Sequence, residues 1–155
     1  MLSINYPDPS FRVKSEDGRD LIFDPFRKKW VVLTPEEWVR QNFLQYLIQV
    51  MAYPATLVAV EKELKLGELK KRFDILVYDP AHRPWLMVEC KSGDIPLDEK
   101  VLEQALRYNI SIPVPYLIIC NGLLAMGWKK EAGGLELLRE LPAHPAAVPG
   151  QGAAE

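Results

Sequence analysis

Three strand-like runs, Thr56–Leu64, Lys71–Tyr78 and Trp85–Lys91, follow one another with only short polar turns between them. Each is rich in β-branched and aromatic residues, which suit a pleated, half-buried surface. Turns this short cannot carry the crossover that parallel pairing needs, so the runs form an antiparallel meander. A helix brackets the meander on each side. Thr34-Pro35-Glu36-Glu37 marks the first: Thr34 as N-cap, Pro35 at the first helical position and Glu37 as capping-box partner. Val39, Phe43, Leu47 and Val50 fall on one stripe until Tyr53-Pro54 ends the helix. A second helix is expected over Leu97–Ile110, with Val101, Leu102, Ala105 and Leu106 facing inward.

Beyond it, Tyr116–Asn121 is a continuous apolar run, as in a strand buried on both faces. A strand–helix–strand step places it parallel to its neighbour through a right-handed crossover. Leu124–Lys129 and Leu135–Leu138 add edge strands, and Leu21–Phe23 with Trp30–Leu33 form an N-terminal hairpin around DPFRKK. The pattern is an α/β domain over 21–142, with a mixed central sheet flanked by helices. Residues 1–20 read as a loosely held arm, and the Ala/Pro/Gly-rich 143–155 as a disordered tail.

Composition narrows the classes. Hydrophobic residues make up 48% of 155 residues, enough for one buried core. No apolar run is long enough to cross a bilayer, and the first residues lack a secretory pattern, so a cytoplasmic protein is expected. Cys90 and Cys120 each sit within an apolar run and read as buried free thiols. His82 in a turn and His144 in the tail read as exposed, which leaves no histidine-based mechanism and no zinc spacing. A net charge of −2 does not by itself indicate nucleic-acid binding. Local basic clusters, Arg27-Lys28-Lys29 and Lys70-Lys71-Arg72, permit it, although such runs are more often solvated turns.

The meander also brings charged residues together. With Asp79–Pro84 as the turn, Tyr78 pairs with Trp85, and stepping back along both strands sets Asp74 opposite Glu89. Opposed residues share a face with Cβ atoms about 4.5–5.5 Å apart. Lys91, two residues on, keeps to that face. Two facing carboxylates repel each other in an otherwise apolar sheet. A divalent cation between them relieves this, and Mg²⁺ takes one or two carboxylates plus waters and phosphate oxygens. A neighbouring lysine suits orientation of water and stabilisation of charge on phosphate. A surface cluster in which Lys91 simply pairs with both acids remains the other reading of the same residues.

Asp74 followed by Glu89-Cys90-Lys91 resembles the PD-(D/E)xK nuclease motif, whose core has the αβββαβ order. The segments LTPEEWVRQ, VEKELKLGELKKRFDILVYD, PWLMVECK and LEQALRYNI are similar to the type I restriction enzyme R-subunit N-terminal nuclease domain, in a stand-alone form. The resemblance implies a restriction endonuclease-like fold and hydrolysis of DNA phosphodiester bonds with Mg²⁺, for which Mn²⁺ substitutes. It implies a site of Asp74, Glu89 and Lys91, with Glu36, followed by Arg40 one turn on, and the Cys90 backbone carbonyl near the metal. Gln104 and Tyr108 match its Gln-x-x-x-Tyr element, which positions nucleic acid or the site. Phe73 stands where the motif has proline. No phosphate-binding G-x-x-x-x-G-K-[ST] loop occurs, so a separate motor or specificity subunit is expected as partner, with a homodimer also open. Two further functions stay open: a non-catalytic DNA-binding or assembly module, and a nuclease acting on RNA.

Overall fold

In a computed structural model, the structure of the protein describes residues 1–146. Three strands come first: β1 (Val13–Glu16), β2 (Arg19–Asp24) and β3 (Lys29–Val32) form an antiparallel sheet in that order. Helix α1 (Pro35–Gln49) follows, then β4 (Val58–Leu66), β5 (Leu69–Tyr78), β6 (Pro84–Cys90), α2 (Glu99–Asn109), β7 (Tyr116–Cys120), β8 (Ala125–Glu131) and β9 (Gly134–Leu137). The last six strands make one sheet in chain order. All its pairings are antiparallel except β6 with β7, which is parallel. The expected αβββαβ order around a mixed sheet is the one observed.

The helices cover opposite faces of the six-stranded sheet. Val39, Phe43 and Leu47 of α1 pack with Ile75, Val77, Leu86, Val88 and Ile118. Ala105 of α2 packs with Leu76, Met87, Leu117, Ile119 and Trp128 on the other side. The middle of β5 is therefore apolar on both faces: Ile75, Leu76 and Val77 are all inaccessible to solvent. Each such side chain contributes about 1.5–3 kcal/mol. The stripe expected on α1 ends sooner than its period suggests, because Val50 is the C-cap and half exposed.

Three expectations are corrected. The N-terminal arm is held: β1 pairs with β2, and Leu2 is buried with its N–H bonded to the Ala125 carbonyl at 2.9 Å. His144 is buried rather than exposed. Its ring packs against both Tyr53 and Trp85, with centroids at 5.4 and 5.1 Å, and Nε2 sits 2.8 Å from the Tyr78 carbonyl oxygen. An aromatic cup from distant strands and the α1–β4 loop draws it in. The rest of the expected tail, 147–155, lies outside the described residues. Finally, Tyr78 pairs with Pro84 and not Trp85, because the ladder shifts after Val77. Asp79 shapes that turn: its Oδ1 accepts the N–H groups of Ala81 and Arg83, both at 2.9 Å.

Candidate active site

Despite the shift at the turn, the inner register is the expected one: Ile75 pairs with Val88, Leu76 with Met87 and Val77 with Leu86. The ladder stops there, one step before Asp74 and Glu89. On the other side of β5, β4 pairs through Val60–Ile75 and again from Lys62–Phe73, omitting Glu61 and Asp74. Glu61 has a φ of 54°, the left-handed region that non-glycine residues seldom occupy. The Asp74 backbone is therefore outside both ladders, and the sheet opens at this point. In place of a ladder bond, the Asp74 carboxylate (Oδ2) accepts the Cys90 N–H at 2.8 Å.

The opening is a cavity of about 220 Å³ lined by Glu36, Lys71, Asp74, Glu89, Lys91 and Asn109 among others. Glu36 comes from the first turn of α1, Asp74 and Lys71 from β5, Glu89 from β6, Lys91 from just beyond it, and Asn109 from the end of α2. Lys91 Nζ lies 3.0 Å from Glu89 Oε2. The Asn109 amide, itself buried, donates to Glu89 Oε1 at 3.3 Å and to the Ala105 carbonyl at 2.8 Å.

Arg40 binds this cluster to the interior. Its guanidinium, almost wholly buried, meets Glu61 at 2.7 Å, Asp74 at 3.2 Å and Glu36 at 3.3 Å, and also pairs with Glu37. Burial lowers the Arg40 pKa, yet Glu37, Asp74 and Glu61 outweigh it and hold the guanidinium above its ordinary value. Burial first, and then the Asp74 carboxylate, push the Glu36 carboxyl up. Glu37 does not close the capping box. Thr34 Oγ1 accepts the Glu37 N–H at 3.0 Å, but the Glu37 carboxylate is taken by Arg40, by Arg27 at 2.7 Å and by Gln41 at 3.0 Å.

Asp74, Glu89, Lys91 and Glu36 thus converge, and Arg40 joins them as their buried counter-charge. Gln104 does not. It lies on the outer face of α2 beside Glu103 and Arg107. Tyr108 is exposed and reaches the cavity only through Lys71, whose ammonium sits 4.5 Å from its ring centroid. Ala105 and Asn109 form the inward pair one turn apart, so Gln104 and Tyr108, one residue earlier, are rotated away. Sequence reasoning missed Lys71, Asn109 and Glu61. The strand period sets Lys71 on the face opposite Asp74, and nothing in the sequence singles out the other two.

The donor set suits a hard divalent cation. It offers carboxylate oxygens of Asp74 and Glu89 on adjacent strands, with Glu36 from the first turn of α1 facing the same cavity. Among the described residues, no group of three His, Cys, Asp or Glu side chains is arranged to hold a metal ion, so an ion at this cavity would draw the rest of its ligands from water and substrate.

The sequence matches no curated protein. Among solved structures, a DUF820 protein from Anabaena variabilis ATCC 29413, provisionally described as a nuclease, aligns at 10% identity over 92% of this chain and 88% of its own, with a TM-score of 0.46. No helix of the described residues is long and apolar enough to cross a membrane. Residues 35–142, from the first position of α1 to just past β9, match the family described as type I restriction enzyme R protein N terminus (HSDR_N), and the chain belongs to that family.

Proposed function

We propose that the protein is a Mg²⁺-dependent nuclease of the PD-(D/E)xK type that hydrolyses DNA phosphodiester bonds. One observation carries this reading: Asp74, Glu89 and Lys91 open onto a single cavity together with Glu36 from the facing helix. Asp74 and Glu89, with Glu36 and the Cys90 backbone carbonyl beside them, are the oxygens that would hold the ion. Bound there, Mg²⁺ supplies charge neutralisation on the phosphate and acidifies a water. The protein's own contribution is positional. Asn109 and Lys91 fix the two oxygens of Glu89, while Arg40 and the Cys90 N–H fix those of Asp74. Lys91 places an ammonium where it orients the attacking water and donates to a phosphate oxygen. Cleavage leaves 5′-phosphate and 3′-hydroxyl ends. Family membership supports DNA as substrate and a separate motor or specificity subunit as partner.

The test is cleavage of plasmid and single-stranded DNA with Mg²⁺ or Mn²⁺. Lys91→Ala should lose about 10²–10³-fold in rate, as expected for one charge-stabilising donor, and Asp74→Ala should lose activity too. An inert wild type, or variants that cut equally well, ends the enzyme reading. A second reading has one observation in its favour: every carboxylate oxygen of Asp74 and Glu89 already has a protein partner. That is also what a DNA-binding or assembly module would show, and it predicts DNA binding with no response to Mg²⁺.

A further inference from the structure

The charges of the 70–72 run are not equally engaged. Lys70 pairs with Glu63 at 3.4 Å and Arg72 with Glu61 at 2.5 Å. Both side chains are about two-thirds exposed (70% and 66%); Lys70 is not among the residues lining the cavity, and Arg72, which is, has its charge taken by Glu61. Lys71, on the opposite face of β5, lines the cavity with Asp74, Glu89, Lys91 and Asn109. Its ammonium lies 4.5 Å from the Tyr108 ring centroid and 5.7 Å from that of Phe73. Arg40 is held by four carboxylates and Lys91 by Glu89, but Lys71 makes no ion pair among the described residues. Burial lowers its pKa, while Glu89 and Asp74 act from nearby in the other direction without neutralising it.

A partly desolvated cation, held over an aromatic ring at the mouth of an acidic cavity, is placed for a mobile anion. Aromatic support fixes such an ammonium without consuming its hydrogen-bond donors. We infer that Lys71 is a phosphate-anchoring residue that grips the DNA backbone beside the phosphodiester addressed by Asp74, Glu89 and Lys91, with Tyr108 as the platform that holds it. The inference rests on the nuclease reading for the identity of the anion. Tyr108 then acts through Lys71, although its ring is outside the cavity lining. The bland alternative is that Lys71 serves only the field around Glu89 and Asp74.

The two are separated by the salt dependence of duplex binding, measured with the full chain in EDTA so that no cleavage occurs. Each phosphate contact contributes about 0.9 to the slope of log K against log salt, which at 0.1 M salt corresponds to about an eightfold change in affinity. Lys71→Met should lower the slope by about 0.9 and weaken binding about eightfold, equally across sequences. Lys71→Arg should restore both. Lys70→Met, which removes a charge of the same sign on the other face, should leave the slope unchanged. A Lys71→Met slope equal to that of wild type, an equal loss in Lys70→Met, or a wild type that does not bind duplex DNA would overturn the assignment. Its failure is distinct from that of the nuclease reading. Lys71-dependent binding without cleavage in Mg²⁺ or Mn²⁺ removes the enzyme and keeps the anchor; cleavage with an unchanged Lys71→Met slope does the reverse.

Discussion

Replacing Arg40 with methionine removes the cation that pairs with Glu36, Glu37, Glu61 and Asp74 together. The partners are unequal. The Glu37 side chain is 6% exposed against 5% for Arg40, so that pair is buried, and its loss leaves the Glu37 carboxylate to Arg27 and Gln41 alone. Removing one member of a buried pair costs about 3–5 kcal/mol. Glu36 is half exposed and adds little, since solvent screens it. One feature works the other way: Arg40 Nε is buried without a hydrogen-bond partner. An orphan donor of this kind costs the wild type about 1–3 kcal/mol, which methionine recovers. The net loss is therefore about 2 kcal/mol, or roughly 4–8 °C in Tm for a chain of this size. Urea denaturation of wild type, Arg40→Met, Glu37→Gln and the double variant measures it. The double variant should be more stable than the sum of the single losses by about 0.5–3 kcal/mol, because both single changes break the same buried pair. A single loss below about 1 kcal/mol, or strict additivity, would refute the view of Arg40 as a buried hub.

Other perturbations test the fold that carries the site. In Gly127→Ala the new Cβ meets Ile118 Cδ1 at 2.6 Å and Leu138 Cδ1 at 3.1 Å in a packed core, so a loss of about 1–3 kcal/mol is expected in the same urea assay; a neutral result means the core yields there. Leu2→Ala should cost about 2 kcal/mol, the low end for a buried leucine because it lies near a terminus, and a stability within error of wild type would show that the N-terminal arm is not anchored. The Arg83 backbone N–H, joined by Arg83's charge and the Ala81 N–H, holds the Asp79 carboxyl below its ordinary 3.8. A depressed folded pKa contributes stability that is present above 3.8 and fades as pH falls through the folded value. Thermal melts of Asp79→Asn and wild type should therefore differ most above pH 3.8 and converge as pH falls through the lower folded value, and a constant gap would discard the linkage.

The parts of this architecture legible in the sequence are those governed by local period. The meander, the capped start of α1 and the parallel β7 follow from alternation, caps and a fully apolar run. The convergence of Asp74, Glu89 and Lys91 follows from strand register, which survived the bulge at Tyr78 because that irregularity lies on the turn side of Val77. What stayed hidden depends on non-local packing. Glu37, Arg40 and Gln41 look like the wet side of an amphipathic helix, yet all three are buried, because the β2–β3 loop brings Arg27 against Glu37 while β4 and β5 bring Glu61 and Asp74 against Arg40. Spacing alone put Gln104 and Tyr108 on one face of α2. Which face meets the cavity is set by the rotation of the helix about its axis, and Ala105 fixes that rotation in favour of Asn109. His144 needed Tyr53 and Trp85, residues with no local relation to it.

The irregularity of the sheet and the location of the site have one origin at Asp74. Backbone pairing fails there toward both β4 and β6, so β5 loses its ladder support where the cavity begins. The Asp74 carboxylate restores part of that support by accepting the Cys90 N–H, and Glu61 accommodates the gap in a left-handed conformation. A residue in that position has two duties, one to the fold and one to chemistry, and substitutions divide them differently. Alanine removes the acceptor for Cys90 as well as the charge, leaving a part-buried N–H unsatisfied at about 1–3 kcal/mol. Asparagine keeps an oxygen that can accept the Cys90 N–H while discarding the charge that faces Arg40 and the proposed ion. An inactive Asp74→Ala variant therefore confounds a loosened β5–β6 edge with a lost ligand. The separating comparison is Asp74→Asn, which should melt closer to wild type than Asp74→Ala and still fail to cut.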